Sequence, residues 1–242
     1  MKIFQHGFIP RAIKTMATQL LASGCALCGR HHAGVLCLAC RKRHIANFRA
    51  RCRCCAITLP GTQTHCSACA ANPPSFDASF AATDYAAPID TLVQALKFGA
   101  HLPLAAAFAD LLMAIVPREA VTSASVMMAV PLSAERIKQR GFNQAHEIAK
   151  PIARAWRLPL ATELCVRIRD TEPQSLLPLA QRRGNMRGAF GLMRRDTVVG
   201  QHVLLVDDVM TTGETLEALA ATLKRNGAAR VTNLVFARTP AR

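Results

Sequence analysis

Eight cysteines arranged as four Cys-x-x-Cys pairs constrain the first third of this chain more than any other feature. Nine of the ten cysteines lie between Cys25 and Cys69, and Cys165 is the tenth. The pairs are Cys25 with Cys28, Cys37 with Cys40, Cys52 with Cys55, and Cys66 with Cys69. Two intervening residues let both thiolates of one tight turn reach the same tetrahedral Zn²⁺. The pairs supply enough ligands for two Cys₄ sites, so we expect structural zinc, one or two ions per chain.

The spacing leaves several assignments within this segment open, beginning with the order in which the pairs combine. Cys54 lies inside the third pair and could compete with Cys55 for the metal. Four nearby histidines could each replace a cysteine, or be ordinary solvated loop residues: His31, His32, His44 and His65. A disulfide framework is the less favoured use because no secretory signal is evident. A segment this small cannot hold a large core of its own, so zinc would supply most of its folding energy.

The N-terminal stretch, residues 1–24, is predicted to form a helical segment before the cysteines. Its end, "LLASGCA", resembles a lipoprotein cleavage site with Cys25 as the acylated residue. Four polar residues interrupt the apolar region that such a signal needs: Lys14, Thr15, Thr18 and Gln19. The chain has no run of about 18 apolar residues, so no membrane span is expected. We therefore expect a cytoplasmic protein.

The composition changes at "NPPSFD", Asn72 to Asp77, where two prolines block helices and ladders. Beyond it, aliphatic strands alternate with amphipathic helices. The predicted strands are 126–131, 203–208 and 230–237, and the predicted helices are 102–117, 143–156 and 214–228. Pro151 is expected to kink the second of these helices and Gly227 to cap the third.

This alternation predicts an α/β fold with a mostly parallel sheet covered on both faces. We assign that fold to residues 77–242 and a small Cys-rich zinc-binding domain to residues 25–72. Cys165, outside the cysteine segment, is expected in the core.

The stretch "VLLVDDVMTTGET", residues 203–215, places two adjacent carboxylates between an aliphatic strand and a Thr/Gly-rich turn. Adjacent carboxylates repel each other, so a capped strand-to-helix connection explains the turn but not Asp207 and Asp208. Successive backbone N–H groups in such a turn, with a helix N-terminus behind them, form a phosphate cradle. Gly213 allows a close approach of the backbone. The stretch therefore predicts a site for a phosphorylated sugar.

These residues resemble the thirteen-residue motif with which type I phosphoribosyltransferases bind phosphoribosyl pyrophosphate (PRPP). Together with the cysteine pairs, three more segments make the chain similar to the ComF family (ComFC and GntX-like proteins): "LKFGA" at 96–100, "VPLSAERIKQRGFNQA" at 130–145 and "RDTEPQSLLPLAQRRGNMRGAF" at 169–190. The resemblance implies a double zinc-ribbon-like N-terminus joined to a type I phosphoribosyltransferase domain. It also implies a link to the uptake or use of external DNA, as in natural competence.

The resemblance further implies roles for individual residues. Asp207 and Asp208, the candidate catalytic residues, would contact the ribose hydroxyls of PRPP, which Mg²⁺ would accompany. The residues that would wrap the 5′-phosphate are Thr211, Thr212, Gly213, Glu214 and Thr215. The pyrophosphate turn would comprise Pro131, Leu132 and Ser133, with Arg136, Lys138 and Arg140 as candidate clamps. A mobile loop at 169–188 would close over the ligand through Gln174, Arg182 and Arg187.

Three positions depart from the family pattern. Ala56 follows the third cysteine pair where glycine is usual, Ala100 replaces the second glycine after "KFG", and Cys54 is additional. These departures concern zinc geometry and the shape of one loop, and they leave the PRPP stretch unchanged.

The charge distribution bears on the choice between two classes of function. Residues 1–76 contain ten Lys or Arg and no Asp or Glu, within a net charge of +15. This excess of positive charge favours a polyanionic partner or anionic metal clusters. A basic, solvated surface with neither of them would explain the same number of Lys and Arg residues. The first hypothesis is an enzyme, a phosphoribosyltransferase acting on PRPP and an acceptor. The second is a non-catalytic nucleic-acid-binding accessory protein that senses PRPP or a nucleotide; single-stranded DNA and a competence helicase are the candidate partners.

Overall fold

The computed structural model describes residues 23–45, 49–168, 188–193 and 197–241. The cysteine segment contains β1 (Ser23–Gly24), β2 (His31–His32), α1 (Leu38–His44) and α2 (Ser67–Ala71). Further strands are β3 (Ala78–Asp84), β4 (Val126–Ala129), β5 (Cys165–Arg167), β6 (Phe190–Leu192), β7 (His202–Met210) and β8 (Arg230–Arg238). Further helices are α3 (Ile89–Phe98), α4 (Pro103–Met113), α5 (Arg118–Thr122), α6 (Ala134–Arg140), α7 (Gln144–Trp156) and α8 (Glu214–Arg225).

Four parallel strands form the central sheet in the order β3–β8–β7–β4. The predicted α/β fold with a parallel sheet is therefore confirmed. Strands β4, β7 and β8 lie where the aliphatic runs predicted them. Strand β3 carries no aliphatic run, since its sequence is "ASFAATD", and the sequence alone gave no strand there. It becomes a strand by pairing with β8, which buries Ser79 and Thr83.

The three predicted helices are present, with ends that differ from the prediction. Helix α4 ends at Met113, four residues early, and α8 ends at Arg225 with Asn226 as its C-cap. Gly227 follows that cap with a φ of 93°, so it supplies the left-handed residue just beyond the helix. Helix α7 begins after Asn143, whose side chain accepts a hydrogen bond from Ala145 N at 3.0 Å, and it contains Pro151.

The sheet has a hydrophobic core on each face. Residues of β7 alternate between them, with Leu204 and Val206 on one face and Val203 and Leu205 on the other. Helices α3, α4 and α7 pack on the first face, and α8 with the β5–β6 hairpin packs on the second. Continuous apolar strands buried on both sides produce this arrangement, because the aliphatic residues 203–206 of β7 pack alternately into the two cores.

The cysteine segment contributes to both cores. Cys25 and Cys40 belong to the core on the α4 face, whereas Cys52 and Cys55 belong to the core on the α8 face. The backbone N–H of Ser79 in β3 donates to Arg53 O at 3.1 Å, so residues of this segment also lie along the outer edge of β3. Each half of the segment therefore shares a core with the sheet.

The proline-containing segment 72–77 is held against α8. Ser75 donates through its N–H and its hydroxyl to the Glu217 carboxylate, at 2.7 and 2.6 Å. Asp77 pairs with Lys224 at 2.8 Å and accepts from Val231 N at 2.7 Å. The predicted helical segment at residues 1–24 lies outside the described residues, except that Ser23 and Gly24 form β1. In the described ranges, no helix is long and apolar enough to cross a membrane.

Candidate functional site

The loops after β4 and β7 meet at the carboxyl edge of the sheet because these strands are adjacent and parallel. The pairing places Ala129 opposite Val206, immediately before the turn at 130–133 and the acidic pair at 207–208. The backbone N–H of Val130 continues this register by donating to Val206 O at 2.9 Å. Ligands of open α/β sheets bind at this edge. The structure thus brings together the two segments that the sequence assigned to one site.

The two carboxylates differ in their surroundings. Asp208 is 6 % exposed, and its Oδ1 lies 3.0 Å from Lys97 Nζ. Asp207 is more open to solvent and accepts a hydrogen bond from Asp208 N–H at 2.9 Å. Helix α3 follows strand β3, which β8 separates from β7 in the sheet. Lys97 lies in the last turn of α3, so this helix places a cation at the end of β7. One carboxylate is therefore neutralised by the protein and the other faces the open side.

The electrostatics of the pair favour a cationic or hydrogen-bonding ligand at Asp207. Partial burial and the neighbouring Asp208 charge raise the pKa of Asp207 to about 7, against the opposing effects of Lys97, the hydrogen bond from Asp208 N–H and Arg136. Burial lowers the pKa of Arg140, while Asp208 and Asp207 act in the opposite direction. Arg140 is thus close enough to interact electrostatically with both carboxylates. Its guanidinium also stacks over the Phe98 ring at 5.3 Å and donates to Gln144 Oε1 at 3.2 Å.

The loop at residues 211–215, which the sequence predicts to hold a phosphate and which is called the phosphate loop below, has the geometry of a strand-to-helix turn. Gly213 adopts a φ of 91°, a conformation that residues with a side chain rarely adopt, and a Cβ there would also displace the end of the Met210 side chain, 2.7 Å away. The hydroxyl of Thr212 accepts from Glu214 N–H at 3.4 Å, and α8 begins at Glu214. The first N–H groups of this twelve-residue helix point into the loop, where the helix dipole favours an anion.

The turn after β4 is fixed by two hydrogen bonds. Ser133 caps α6 by accepting from Arg136 N–H at 3.4 Å, and Asn143 Nδ2 donates to Val130 O at 2.9 Å. A cavity of about 430 Å³ opens beside it, and its lining includes Pro131, Leu132 and His146. The turn is therefore held at both ends and faces open space.

The three candidate clamps on α6 do not share one side of the helix. Arg136 and Arg140 are four residues apart, which places both on the side that faces the acids. Lys138 lies two residues from each and is exposed. Gln174, Arg182 and Arg187 lie outside the described residues.

Lys97 is the site residue that sequence reasoning missed. The segment "LKFGA" contributes to the family resemblance, but the resemblance assigns no role to its lysine. The available signal was a single lysine on a helix that otherwise buries Ile89, Leu92, Val93 and Leu96. Only the packing of α3 against the sheet shows that this lysine reaches Asp208.

The cysteine pairs form two Cys₄ clusters, and the structure settles their order. The first cluster contains Cys25, Cys28, Cys37 and Cys40, and the second contains Cys52, Cys55, Cys66 and Cys69. Within each, the sulfur atoms lie within 4.8 Å of one another. Neither cluster includes Cys54, whose Sγ lies 3.8 Å from Phe76 O. The described histidines also lie outside both clusters.

The geometry of both clusters fits zinc. A tetrahedral site with Zn–S bonds of about 2.3 Å places neighbouring sulfurs about 3.8 Å apart. The separations are 3.8 Å between Cys28 and Cys37 and 3.7 Å between Cys55 and Cys66. Burial opposes ionisation of Cys25 and Cys52, but backbone N–H donors outweigh it and lower the pKa of Cys25 to about 6 and that of Cys52 to about 7. Such N–H donation favours the thiolates that a metal requires.

Comparison with known proteins gives matches over most of the chain. A profile of the phosphoribosyl transferase domain matches residues 145–242. The DNA utilization protein YhgH of Escherichia coli O157:H7 is 35 % identical over 187 residues, covering 75 % of this chain and 82 % of that protein. Competence protein F of Haemophilus influenzae is 31 % identical over 198 residues, covering 79 % and 85 %.

A solved hypoxanthine phosphoribosyl transferase of Trypanosoma cruzi superposes with a TM-score of 0.30 at 17 % identity, covering 55 % of this chain and 60 % of that one. The two curated relatives match well beyond the transferase domain itself, since each alignment covers at least three quarters of this chain. The chain therefore belongs to the ComF family, as a protein with a phosphoribosyl transferase domain and two N-terminal Cys₄ clusters.

Proposed function

We propose that this protein binds PRPP with Mg²⁺ at the carboxyl edge of its sheet and serves the uptake or use of external DNA. The observation that carries the proposal is the position of the acidic pair at the end of β7, directly before a loop whose Gly213 brings the backbone close and whose helix dipole favours a phosphate. The link to external DNA rests on the names of the relatives, a DNA utilization protein and a competence protein.

In this pose the 5′-phosphate lies in the loop 211–215 and the ribose hydroxyls donate to Asp207 and Asp208. The pyrophosphate lies against Pro131, Leu132 and Ser133, with Arg136 and Arg140 on the same side of α6. Carboxylates, ribose hydroxyls and pyrophosphate together offer the oxygen ligands that Mg²⁺ prefers, and the ion would neutralise charge on the pyrophosphate. The residues present therefore fit the predicted ligand.

If the protein catalyses transfer, a nucleophilic atom of an acceptor bonds to C1 of the ribose as the C1–O bond to pyrophosphate breaks. The protein would stabilise the departing negative charge with Arg136 and Arg140 and hold the sugar through the acids. The acceptor would enter through the cavity beside the pyrophosphate turn, where half-buried His146 offers a polar group. Burial and the neighbouring Lys150 lower the pKa of His146, which favours the neutral form of its ring.

We also propose that each Cys₄ cluster holds one structural Zn²⁺. The sulfur separations and the N–H donors to sulfur support this assignment. Because each cluster shares a core with one face of the sheet, zinc would stabilise the transferase domain as well as the cysteine segment.

The second candidate function, a nucleic-acid-binding accessory protein, is favoured by a separate basic groove. This groove is a cavity of about 690 Å³ between the cysteine segment and the outer edge of β3. Its cationic lining comprises Arg49, Arg51, Arg53 and Arg230, and His65 also lines it. Asp77, the one acidic residue among its described lining residues, is paired with Lys224. A groove of this charge suits the phosphates of a single strand.

The groove lies at the opposite end of the sheet from the phosphoribosyl site. It is lined by the first half of β3 and by Arg230, the first residue of β8, whereas Asp207 and Asp208 lie near the end of β7. The two ligands can therefore bind together. DNA binding at the groove does not require the transferase site to be empty.

The test is a calorimetric titration of Mg²⁺-PRPP into the full chain, repeated with single-stranded DNA present. We expect binding by the wild type and its loss in the double variant Asp207→Asn, Asp208→Asn. Asp110→Asn, an exposed aspartate on α4, is the control and retains wild-type affinity. Equal affinity in the double variant would overturn the site. DNA binding without any PRPP binding would favour the accessory-protein function.

A further inference from the structure

Arg238, the last residue of β8, joins the second Cys₄ cluster to the phosphate loop. The residue is 6 % exposed. Its Nε donates to the backbone oxygen of Cys55 at 2.9 Å, and Cys55 is one of the four cysteines of that cluster. Its Nη1 donates to Met210 O at 3.0 Å and to Thr211 O, at the entrance of the phosphate loop. One guanidinium thus spans both sites.

The bonds to Met210 and Thr211 fix the direction of the following peptide groups. In a planar trans peptide the C=O of one residue and the N–H of the next point in opposite directions. Since Met210 O and Thr211 O point towards the buried guanidinium, the N–H groups of Thr211 and Thr212 point away from it. Thr211 is exposed, so the loop borders solvent at this point. By holding both carbonyls, Arg238 fixes the direction of the backbone donors that the proposed phosphate site would use.

The bond to Cys55 makes this arrangement depend on the cysteine turn. Residues 52–56 form a tight turn in which Ala56 N–H donates to Cys52 O at 2.8 Å and Ala56 has a φ of 56°. A metal held by Cys52 and Cys55 would keep that turn closed and Cys55 O in place. If the metal were lost and Cys55 O moved, the buried Nε of Arg238 would lose its hydrogen-bond acceptor. Leaving a buried charged donor without an acceptor is costly in free energy.

Register adds a second connection at the same point. Arg238 lies opposite Met210 in β7 and opposite Asp84 in β3. Asp84 accepts from Thr58 Oγ1 at 3.0 Å and pairs with Arg51 at 2.8 Å, and Arg51 in turn donates to Ala56 O at 3.0 Å. The backbone around the second cluster is therefore tied to the end of the sheet at Asp84 as well as at Arg238.

We infer that Arg238 is a positioning residue that couples the second Cys₄ cluster to the phosphate loop. Metal at Cys52, Cys55, Cys66 and Cys69 then raises the affinity of the loop for a phosphorylated sugar. By thermodynamic reciprocity the bound sugar raises the affinity of the cluster for its metal by the same factor. This inference rests on the proposed PRPP site and the proposed zinc.

The experiment compares the wild type with Arg238→Lys and Arg238→Met, with Arg154→Met as a control on an exposed face of α7. Lysine keeps a positive charge but places all of its N–H donors on one atom, so it cannot bond Cys55 O and Met210 O as the guanidinium does. Calorimetry with Mg²⁺-PRPP is expected to show affinity about tenfold lower in both Arg238 variants and unchanged in Arg154→Met.

A second readout follows the release of zinc, first without PRPP and then with it. Transfer of zinc to a chromogenic chelator is expected to be several-fold faster from Arg238→Lys than from the wild type. PRPP is expected to slow zinc transfer from the wild type but not from Arg238→Lys. The variant Cys28→Ser removes a ligand from the first cluster. Zinc transfer that remains in this variant is therefore assigned to the second cluster.

The outcomes separate the inference from the function on which it rests. Wild-type protein that releases zinc at the same rate as Arg238→Lys, and binds PRPP no better, overturns the coupling while leaving the PRPP site intact. Wild-type protein that binds no PRPP overturns the proposed function, and the coupling with it. If Arg238→Met unfolds, circular dichroism identifies this, and the comparison then depends on Arg238→Lys.

Discussion

Lys97 Nζ lies 3.0 Å from Asp208 Oδ1, and this ion pair joins the end of helix α3 to the end of strand β7. The Asp208 side chain is 8 % exposed and that of Lys97 is 22 % exposed. A carboxylate so buried beside a second carboxylate needs a counter-ion to stay charged. Lys97 therefore belongs to the proposed sugar site, although no pattern in the sequence assigned it there.

Replacing Lys97 with methionine is expected to weaken PRPP binding about tenfold, the effect of losing a hydrogen bond to a charged group. Without the cation, the two acids favour a shared proton and offer fewer acceptors to the ribose hydroxyls. Calorimetry with Mg²⁺-PRPP checks this. Lys150→Met, which removes a lysine from an exposed pair with Glu147, is the matched control. Affinity unchanged in Lys97→Met would show that Asp208 needs no partner.

Metal analysis of the purified chain is expected to find two zinc ions, one for each cluster. Cys28→Ser and Cys66→Ser should each reduce the count to one, because each removes a ligand from a different cluster. Cys54→Ser should leave the count at two, since Cys54 Sγ contacts Phe76 O and lies outside both clusters. A count that falls in Cys54→Ser would mean that Cys54, not Cys55, binds the metal.

The basic groove predicts how DNA affinity depends on salt. Changing Arg49, Arg53 and Arg230 to glutamine removes three cations and should lower the slope of log affinity against log salt by about 2 for single-stranded DNA. Fluorescence anisotropy with a labelled oligonucleotide at several salt concentrations measures the slope. Changing Arg118, Arg154 and Arg157, which lie outside the groove, removes the same charge and should alter it less. Equal slopes in the two triple variants would place DNA binding elsewhere.

His202 predicts a pH dependence of stability. It is buried at the start of β7, with Nδ1 3.0 Å from Ser123 Oγ and Nε2 2.9 Å from Thr232 Oγ1. Burial lowers its pKa below the ordinary value of about 6.5, so the folded chain resists protonation. As pH falls below about 6.5 the unfolded chain binds the proton first, and the free energy of unfolding decreases.

The measurement is urea unfolding at pH 7.5 and at pH 5.5. Between these values His202 should account for a loss of about 1 kcal/mol in the wild type, a loss that is absent from His202→Gln. His101→Gln, at an exposed position, should keep the wild-type dependence. Because other groups titrate in the same range, the quantity to compare is the loss of unfolding free energy between the two pH values in His202→Gln and in His101→Gln. A difference of zero would mean that His202 binds a proton as readily in the folded chain as in the unfolded chain.

The parallel sheet and the acid-bearing turn could be predicted because both are local in sequence. An aliphatic run followed by two acids and a Thr/Gly turn determines the strand, the loop and the start of α8. Strand β3 and Lys97 could not be predicted, since each acquires its role only by packing against β8 or β7. The groups that link separate segments, such as Arg238 and Asp77, likewise depend on contacts between residues more than a hundred positions apart.

Ala56 and Ala100, two departures from the pattern that the family resemblance implies, lie at positions with a left-handed backbone. Ala56 and Ala100 replace the usual glycines, and both adopt positive φ, at 56° and 46°. The backbone therefore keeps the shape that glycine favours even where a methyl group opposes it. Ala56 is fully buried, so its methyl group also contributes to packing, whereas Ala100 is exposed.

Ala100→Gly is therefore expected to raise the free energy of unfolding by about 0.5 kcal/mol, the relief of left-handed strain less the added freedom of the unfolded chain. Ala100 follows α3 and lies three residues beyond Lys97, outside the contacts of the acid pair, so PRPP affinity should not change. Urea unfolding measures the first quantity and calorimetry the second. Ala106→Gly, at an exposed position inside α4, should lower stability by about 1 kcal/mol. If both glycine variants lose stability alike, the left-handed backbone at residue 100 carries no strain.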